Sequence, residues 1–395
     1  MTLKDSMLRK ETMTPRERVN KALNHEESDR IPIDLGGFQT GIHRKAYESL
    51  LGYLGREESV NILDPVQQIV VPSEAILQRF HADIRYVTAH GPHDFHSTIE
   101  VNKRGGKPWH DLKDEFGVVW SMPGDQMLYM DISHHPLANA SITDIESYPF
   151  PNGADPSRFT GVREKALALR RDTPYALSSG ICGVAYELCW YMRGLEQWFM
   201  DMKEDPKFCE ALIERTSQYW VDWMTLFLGE VGDILDVVMI GDDITGQDGP
   251  LFSPQFYRDV VRPRQQRIVD VIKRKSRCKI WYHTCGDCSV YIPDLIDMGI
   301  DILNPVQINT AGMDPGKLKA MYGKDLVFWG GGIDSQHVLP FASPQKIRDE
   351  VKKNLDIFKP GGGYVFNNVH NIQPGVPPEN IVALYDAAYE FGFYG

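Results

Sequence analysis

Beyond Pro156 the chain alternates short apolar runs with longer amphipathic stretches, and the alternation persists to the C-terminus. The apolar runs at 174–177, 237–240, 279–283, 302–303, 326–329 and 364–366 have strand length. The stretches at 187–202, 206–228, 254–274, 290–298, 315–321, 344–358 and 378–391 carry helical spacing. Strands alternating with helices of this length predict βα units around a parallel sheet. Two earlier runs, 31–35 and 82–87, bring the strands to eight, the number that closes a (β/α)8 TIM barrel. Thr14, Pro15 and Glu17 form a cap before a helix over 16–23, which predicts an N-terminal helical arm packed on the body. From 92 to 150 the rhythm changes. STIEV and GVVWSM alternate apolar with polar residues around KRGGK and LKDEFG, the grammar of hairpins and of an inserted β-rich subregion. The expectation is one α/β barrel domain over 1–395. A doubly wound sheet is the alternative, but no GxGxxG or GxxxxGK[ST] sits at a strand-to-helix turn, so nucleotide binding lacks support.

Composition narrows the partners. With 42 basic against 54 acidic residues the net charge is −12, which repels phosphate backbones and argues against nucleic acid. The first residues, MTLKDSMLRKETMTPRERV, are charged throughout and lack the apolar core of a secretory signal, and no long uncharged apolar stretch occurs. A soluble cytoplasmic protein without membrane association is expected. Six cysteines are too sparse for a disulfide scaffold and are available as ligands or nucleophiles. Oligomeric state is not legible here; a homodimer stands among the expectations.

In a barrel the loops after the strands converge on one mouth, so polar residues at strand ends are the candidates. These are Asp34, Asp242 and Asp243, His283 with Cys285, Asn304, Gln307, Asp334 and His370. His283-Thr-Cys285-Gly-Asp-Cys288 is the sharpest signal. Alternation turns His283 and Cys285 the same way, toward one tetrahedral ion of zinc type, with Cys288 or His370 as a third ligand. The competing reading has His283 hydrogen-bonded in a polar mouth and the cysteines as small buried fillers. Adjacent Asp242 and Asp243 need a compensating cation or hydrogen bonds, which suits acid–base work, substrate binding, or an Asx-turn and helix cap. Glu187 lies at a helix start, facing the mouth or pairing with an arginine on the surface. His43 and Arg44 suit an anionic substrate group or a solvated loop.

Five ordered stretches carry a resemblance: MTPRERVNKALNHEESDRIPID, GDDITGQDGPLFSPQFYRDVVRP, HTCGDCSVYIPDLIDMGIDILNPVQ, FWGGGIDSQHVLP and GGGYVFNNVHNIQPGVPPENI. The chain resembles the uroporphyrinogen decarboxylase-like superfamily of (β/α)8 barrels over nearly its full length. Decarboxylases of that group carry an early RQAGRY-like motif that grips carboxylates; here the stretch reads DLGGFQTGIHRKAY, with Arg44 as the candidate substitute. The resemblance is closer to the cobamide-dependent methyltransferases, in which an HxC motif and a distant Cys bind zinc. His283 and Cys285 match the first two ligands, and the distant Cys falls on His370. The implied activity is methyl transfer between a small methylated substrate, a methoxylated aromatic fitting best with an amine or betaine as the other donor, and the cobalt of a corrinoid. No corrinoid-binding motif is visible, so that cofactor is expected on a separate carrier protein. Asp242 or Asp243 would supply a proton. The alternatives are a metal-independent lyase or decarboxylase on a small carboxylated substrate, with Asp243 and His283 as acid and base, and a ligand-binding barrel without activity.

Overall fold

The computed structural model describes residues 10–93, 95, 97–181 and 183–395. Short runs rich in Val, Ile and aromatic residues, punctuated by Gly and Pro, fold as seven parallel strands. They are β1 (Ile84–Tyr86), β2 (Ala176–Gly180), β3 (Val237–Gly241), β4 (Lys279–His283), β5 (Ile302–Asn304), β6 (Val327–Trp329) and β7 (Tyr364–Val365). Each pairs with its neighbours in chain order, as βα units with right-handed crossovers require. The expected strand at 31–35 closes the ring as a short bridge. Phe366 N–H donates to the Pro32 carbonyl at 2.8 Å, Asp34 N–H to the Phe366 carbonyl at 2.9 Å, and Asp83 N–H to the Ile33 carbonyl at 2.8 Å. Pro32 has no N–H to extend the ladder, and the chain turns away at Gly36, whose φ is +116°. The fold is a TIM barrel.

Alternate residues along the strands fill the two faces. Ile84, Ala176, Val237, Met239, Trp281, Ile302, Val327, Trp329 and Val365 form the interior cluster. Val238, Ile240, Ile280, Tyr282, Leu303 and Phe328 belong to the larger cluster beneath the helices. Each such side chain contributes about 1.5–3 kcal/mol of burial.

The lower end of the cylinder is stopped by helix α1 (Pro15–Leu23). Thr14 and Glu17 form its capping box, and Val19, Ala22 and Leu23 pack on the interior cluster. Below them Arg18, fully buried, donates to Asp29 at 2.8 Å and Asp83 at 2.6 Å, while Arg30 donates to the other oxygen of Asp83 at 2.7 Å.

The expected insertion is a four-stranded antiparallel sheet of Ile99–Arg104, Lys107–Lys113, Val119–Pro123 and Asp131–His134. Its last turn is pinned to the barrel rim. The Leu128 carbonyl lies 3.2 Å from His43 Nε2, Met130 N–H donates to the Val66 carbonyl at 2.9 Å, and Lys45 Nζ donates to the Gln126 carbonyl.

Helices depart from expectation where backbone chemistry interrupts the period. The stretch 187–202 breaks at Gly194, whose φ of +93° only glycine tolerates well, into Glu187–Arg193 and Leu195–Glu204. The stretch 254–274 contains a π turn at Tyr257–Val261, just before Pro263 withdraws a backbone donor. Helices Arg44–Tyr53, Glu74–Arg79, Ile142–Ser147 and Val162–Asp172 form in segments where no helix was expected. Among the described residues no helix is long and apolar enough to cross a membrane.

Candidate active site

The end of β4 sets the chemistry. Trp281 points into the barrel, so His283, two residues on, does as well. In the sheet register His283 lies between Gly241 and Asn304. A Cβ at Gly241 would stand 2.5 Å from the His283 carbonyl oxygen, so only glycine lets β3 and β4 lie this close at the mouth. Asn304, fully buried, donates from Nδ2 to the Trp329 carbonyl at 2.8 Å. That bond orients the amide, and its Oδ1 accepts from His283 Nδ1 at 2.6 Å. The proton is therefore held on Nδ1, and the Nε2 lone pair faces Cys285, whose Sγ lies 3.5 Å away.

After Cys285 the chain turns at Gly286, with φ +92° and no room for a Cβ beside the Gly246 carbonyl. The turn is tied down by Gly286 N–H donating to Gln307 Oε1 at 2.7 Å. His370, arriving after β7, brings its ring centroid to 5.4 Å from that of His283. One ligand atom from each of His283, Cys285 and His370 falls within a 4.8 Å set. Zinc bonds of about 2.0–2.1 Å to nitrogen and 2.3 Å to sulfur at a tetrahedral angle put N and S about 3.5 Å apart, so His283 at the end of β4 and Cys285 just past it are already at ligand spacing. Burial lowers both imidazoles to about 4, so both are neutral at pH 7, the form able to ligate a metal. Cys288 is turned elsewhere, buried with its Sγ 3.8 Å from Met313 Sδ. Cys182 lies outside the described residues.

The adjacent aspartates divide their labour, and the helix-cap alternative falls to Asp242. Asp242 is fully buried, and its two oxygens accept the N–H groups of Ala185, Tyr186 and Glu187 at 3.0–3.2 Å and Gln265 Nε2 at 2.8 Å. It anchors the start of helix Glu187–Arg193 and is a positioning residue. Asp243 faces the cluster: its Oδ1 accepts Cys285 N–H at 2.7 Å. Glu187 is the other mouth carboxyl. Burial, and then the charge of Asp243, hold it well above the usual carboxylate range, and the Tyr191 hydroxyl donates to it. Sequence reasoning missed Tyr191 and Tyr129. Tyr191 lies one helical turn past Glu187, a spacing the sequence does contain. Tyr129 comes from the pinned hairpin and is half exposed; crowding around its hydroxyl and then the charges of Asp64, Glu187, Asp243 and Cys285 raise it.

The remaining expected substrate contacts separate. Asp34 is inside the barrel, fully buried, its Oδ2 accepting from Tyr86 at 2.7 Å and Trp329 Nε1 at 2.9 Å. Asn304 and Gln307 serve His283 and Gly286 instead of a ligand. His43 is a buried helix cap, with Nδ1 accepting Lys45 N–H at 3.1 Å. Arg44 lies at the surface, paired with Glu48 at 2.7 Å, so no arginine grip forms there. Asp334 is occupied by the N–H groups of Gln336 and His337 and by the His337 ring.

Residues 127–391 match the family described as Uroporphyrinogen decarboxylase (URO-D). The uroporphyrinogen decarboxylase of Ruthia magnifica subsp. Calyptogena magnifica is 31% identical over 224 residues, which cover 54% of this chain and 59% of that protein. That of Pseudoalteromonas atlantica is 26% identical over 282 residues, covering 67% and 73%. Among solved structures, a methyltransferase from Methanosarcina mazei shares the fold with a TM-score of 0.61 at 18% identity, over 96% of this chain and 99% of that one. With the matched segment running from the insertion's last turn to the final helix, the chain belongs to the uroporphyrinogen decarboxylase family.

Proposed function

We propose that this enzyme moves a methyl group from a small methoxylated substrate to the cobalt of a corrinoid carried by a separate protein. The observation that carries the reading is the convergence of His283, Cys285 and His370 at ligand spacing in the barrel mouth. Zinc held by these three residues would polarise the ether oxygen. Asn304 fixes the His283 ring, and Gln307 fixes the turn that presents Cys285. Glu187, whose hold on a proton is strengthened by burial and then by Asp243, would stand as the acid. The methyl–oxygen bond would break with its pair left on oxygen, the corrinoid of the carrier would accept the methyl, and Glu187 would supply the proton that neutralises the oxygen. Asp243 then faces a charged Glu187, which favours reprotonation from solvent.

A second reading, decarboxylation without metal, is favoured by the names of the relatives. The surface position of Arg44 weighs against it, because a polycarboxylate would meet Asp243 and Glu187 with no arginine at the expected place. The test is metal content together with turnover. Methyl transfer requires stoichiometric zinc that is lost in His283→Ala, and methylcobalamin absorbance that grows with a methoxylated donor and carrier. Metal-free protein releasing carbon dioxide without corrinoid would overturn the proposal.

A further inference from the structure

The helix that carries Glu187 has only seven residues, Glu187–Arg193, and a helix this short depends on what meets its ends. Its start is held by Asp242, which accepts the Glu187 N–H at 3.0 Å. Two carbonyls of its last turn are met by the segment that follows the inserted sheet: that of Tyr191 accepts from His135 Nδ1 at 2.7 Å, and that of Met192 accepts the Leu137 N–H at 2.9 Å. Arg193, the last residue of the helix, donates in return to the carbonyls of Leu137, Ala138 and Ala140 at 2.8–3.2 Å. The barrel therefore fixes where this helix begins, and the chain leaving the insertion fixes where it ends.

The insertion also sets a side chain. Tyr191 stands one turn past Glu187, and its hydroxyl donates to Glu187 Oε1. Burial, and then the charge of Glu187, push that hydroxyl well above its ordinary value, so at neutral pH it donates and does not ionise. Trp120, buried on the inserted strand Val119–Pro123, meets the Tyr191 ring edge to face with 5.1 Å between centroids. Asp114 holds that indole in turn, its Oδ2 accepting from Trp120 Nε1 at 3.0 Å. An i, i+4 pair on an open helix surface can turn away from its partner; a phenol backed by a fixed indole cannot.

We propose that Tyr191 is a positioning residue that leaves Oε2 of Glu187 as the oxygen able to give up a proton, and that the inserted sheet is a working part of the active site because Trp120 and His135 place Tyr191. A carboxyl that accepts a hydrogen bond at Oε1 carries its own proton on Oε2, so the phenol decides which oxygen can act. Asn304 does the corresponding service for His283, where the bond at Nδ1 leaves Nε2 to face Cys285. The use of Glu187 as an acid rests on the methyl-transfer reading; the placing of its carboxyl does not.

The experiment reads the Glu187 carboxyl in the full chain by infrared difference spectroscopy, its band being the one lost in Glu187→Gln. Tyr191→Phe keeps the ring against Trp120 and removes only the hydrogen bond, so the band should shift. Trp120→Leu keeps Tyr191 and most of the apolar volume but removes the wall, and should shift or broaden the same band; Trp120→Phe restores an aromatic face and should bring it back toward the native position. Urea midpoints are taken on each variant, because a purely structural role would lower stability and leave the band where it was. With 2-methoxyphenol as donor and reduced cobalamin as acceptor, Tyr191→Phe should lower kcat by roughly 10- to 100-fold, the worth of one hydrogen bond to a charged group, with KM unchanged, and Trp120→Leu should act in the same direction. An unmoved band in Tyr191→Phe overturns the proposal, and an unmoved band in Trp120→Leu overturns the part given to the inserted sheet. A band that moves in a protein that transfers no methyl group would sink the methyl-transfer reading and leave the positioning standing.

Discussion

Asn304 is the sharpest place to test whether the ligand cluster is built for a metal. Replacing it with alanine removes the only acceptor shown for His283 Nδ1 and the donor to the Trp329 carbonyl, at a fully buried position. Each orphaned group costs about 1–3 kcal/mol, so Asn304→Ala should destabilise the metal-free protein by about 2–5 kcal/mol in urea unfolding. The imidazole also loses the bond that fixes its tautomer and aims Nε2. Loss of such an outer partner typically weakens metal binding by about 10–100-fold, or about 1.4–2.7 kcal/mol. Zinc competition against a chromophoric chelator at pH 7 reads this directly. Asn304→Asp separates the two effects: its carboxylate still accepts from His283, so zinc affinity is kept, while the Trp329 carbonyl is still orphaned and stability still falls. Native zinc affinity in Asn304→Ala would refute the reasoning, because the ring would then need no orientation.

Two further expectations concern stability. Burial pushes Asp34 up to about 6 from an ordinary 3.8, so between those values the native state keeps a proton that the unfolded chain has released. Its contribution is complete below about pH 4 and is lost as pH rises through 6. Asp34→Asn should therefore gain on the native protein by up to about 3 kcal/mol between pH 4 and 7 in urea midpoints, and a flat difference would contradict the shift. Arg18→Met breaks the buried network at the opposite end of the strands from His283, and should cost about 3–5 kcal/mol while zinc affinity is untouched. A coupled change in zinc affinity would show that the two ends are not independent.

The sequence was most legible where period and punctuation agree. The expected bounds at 279–283, 344–358 and 378–391 coincide with the elements formed, since Pro opens both helices and an apolar run defines the strand. The HxC pair was legible because alternation alone turns both side chains one way. The division between Asp242 and Asp243 was not, because it depends on a helix start some 55 residues earlier supplying three N–H groups. His43 and Arg44 misled for a related reason: a cap and a first-turn surface position look identical to a binding loop until the helix that follows is known. Tyr129 was hidden because an insertion's hairpin reaches the mouth only through contacts with His43, Lys45 and Val66.

Were the proposed methyl transfer the reaction, helix α1 would set its order of events. With Val19, Ala22 and Leu23 packed into the interior cluster, the cylinder is closed at its lower end among the described residues. A bulky carrier bringing cobalt to the mouth, as proposed, would shut it behind whatever is already inside. The small donor would then have to enter first, and the demethylated product would wait until the carrier departs. Excess carrier should then inhibit by trapping the empty or spent enzyme, a kinetic signature that a tube open at both ends would not show.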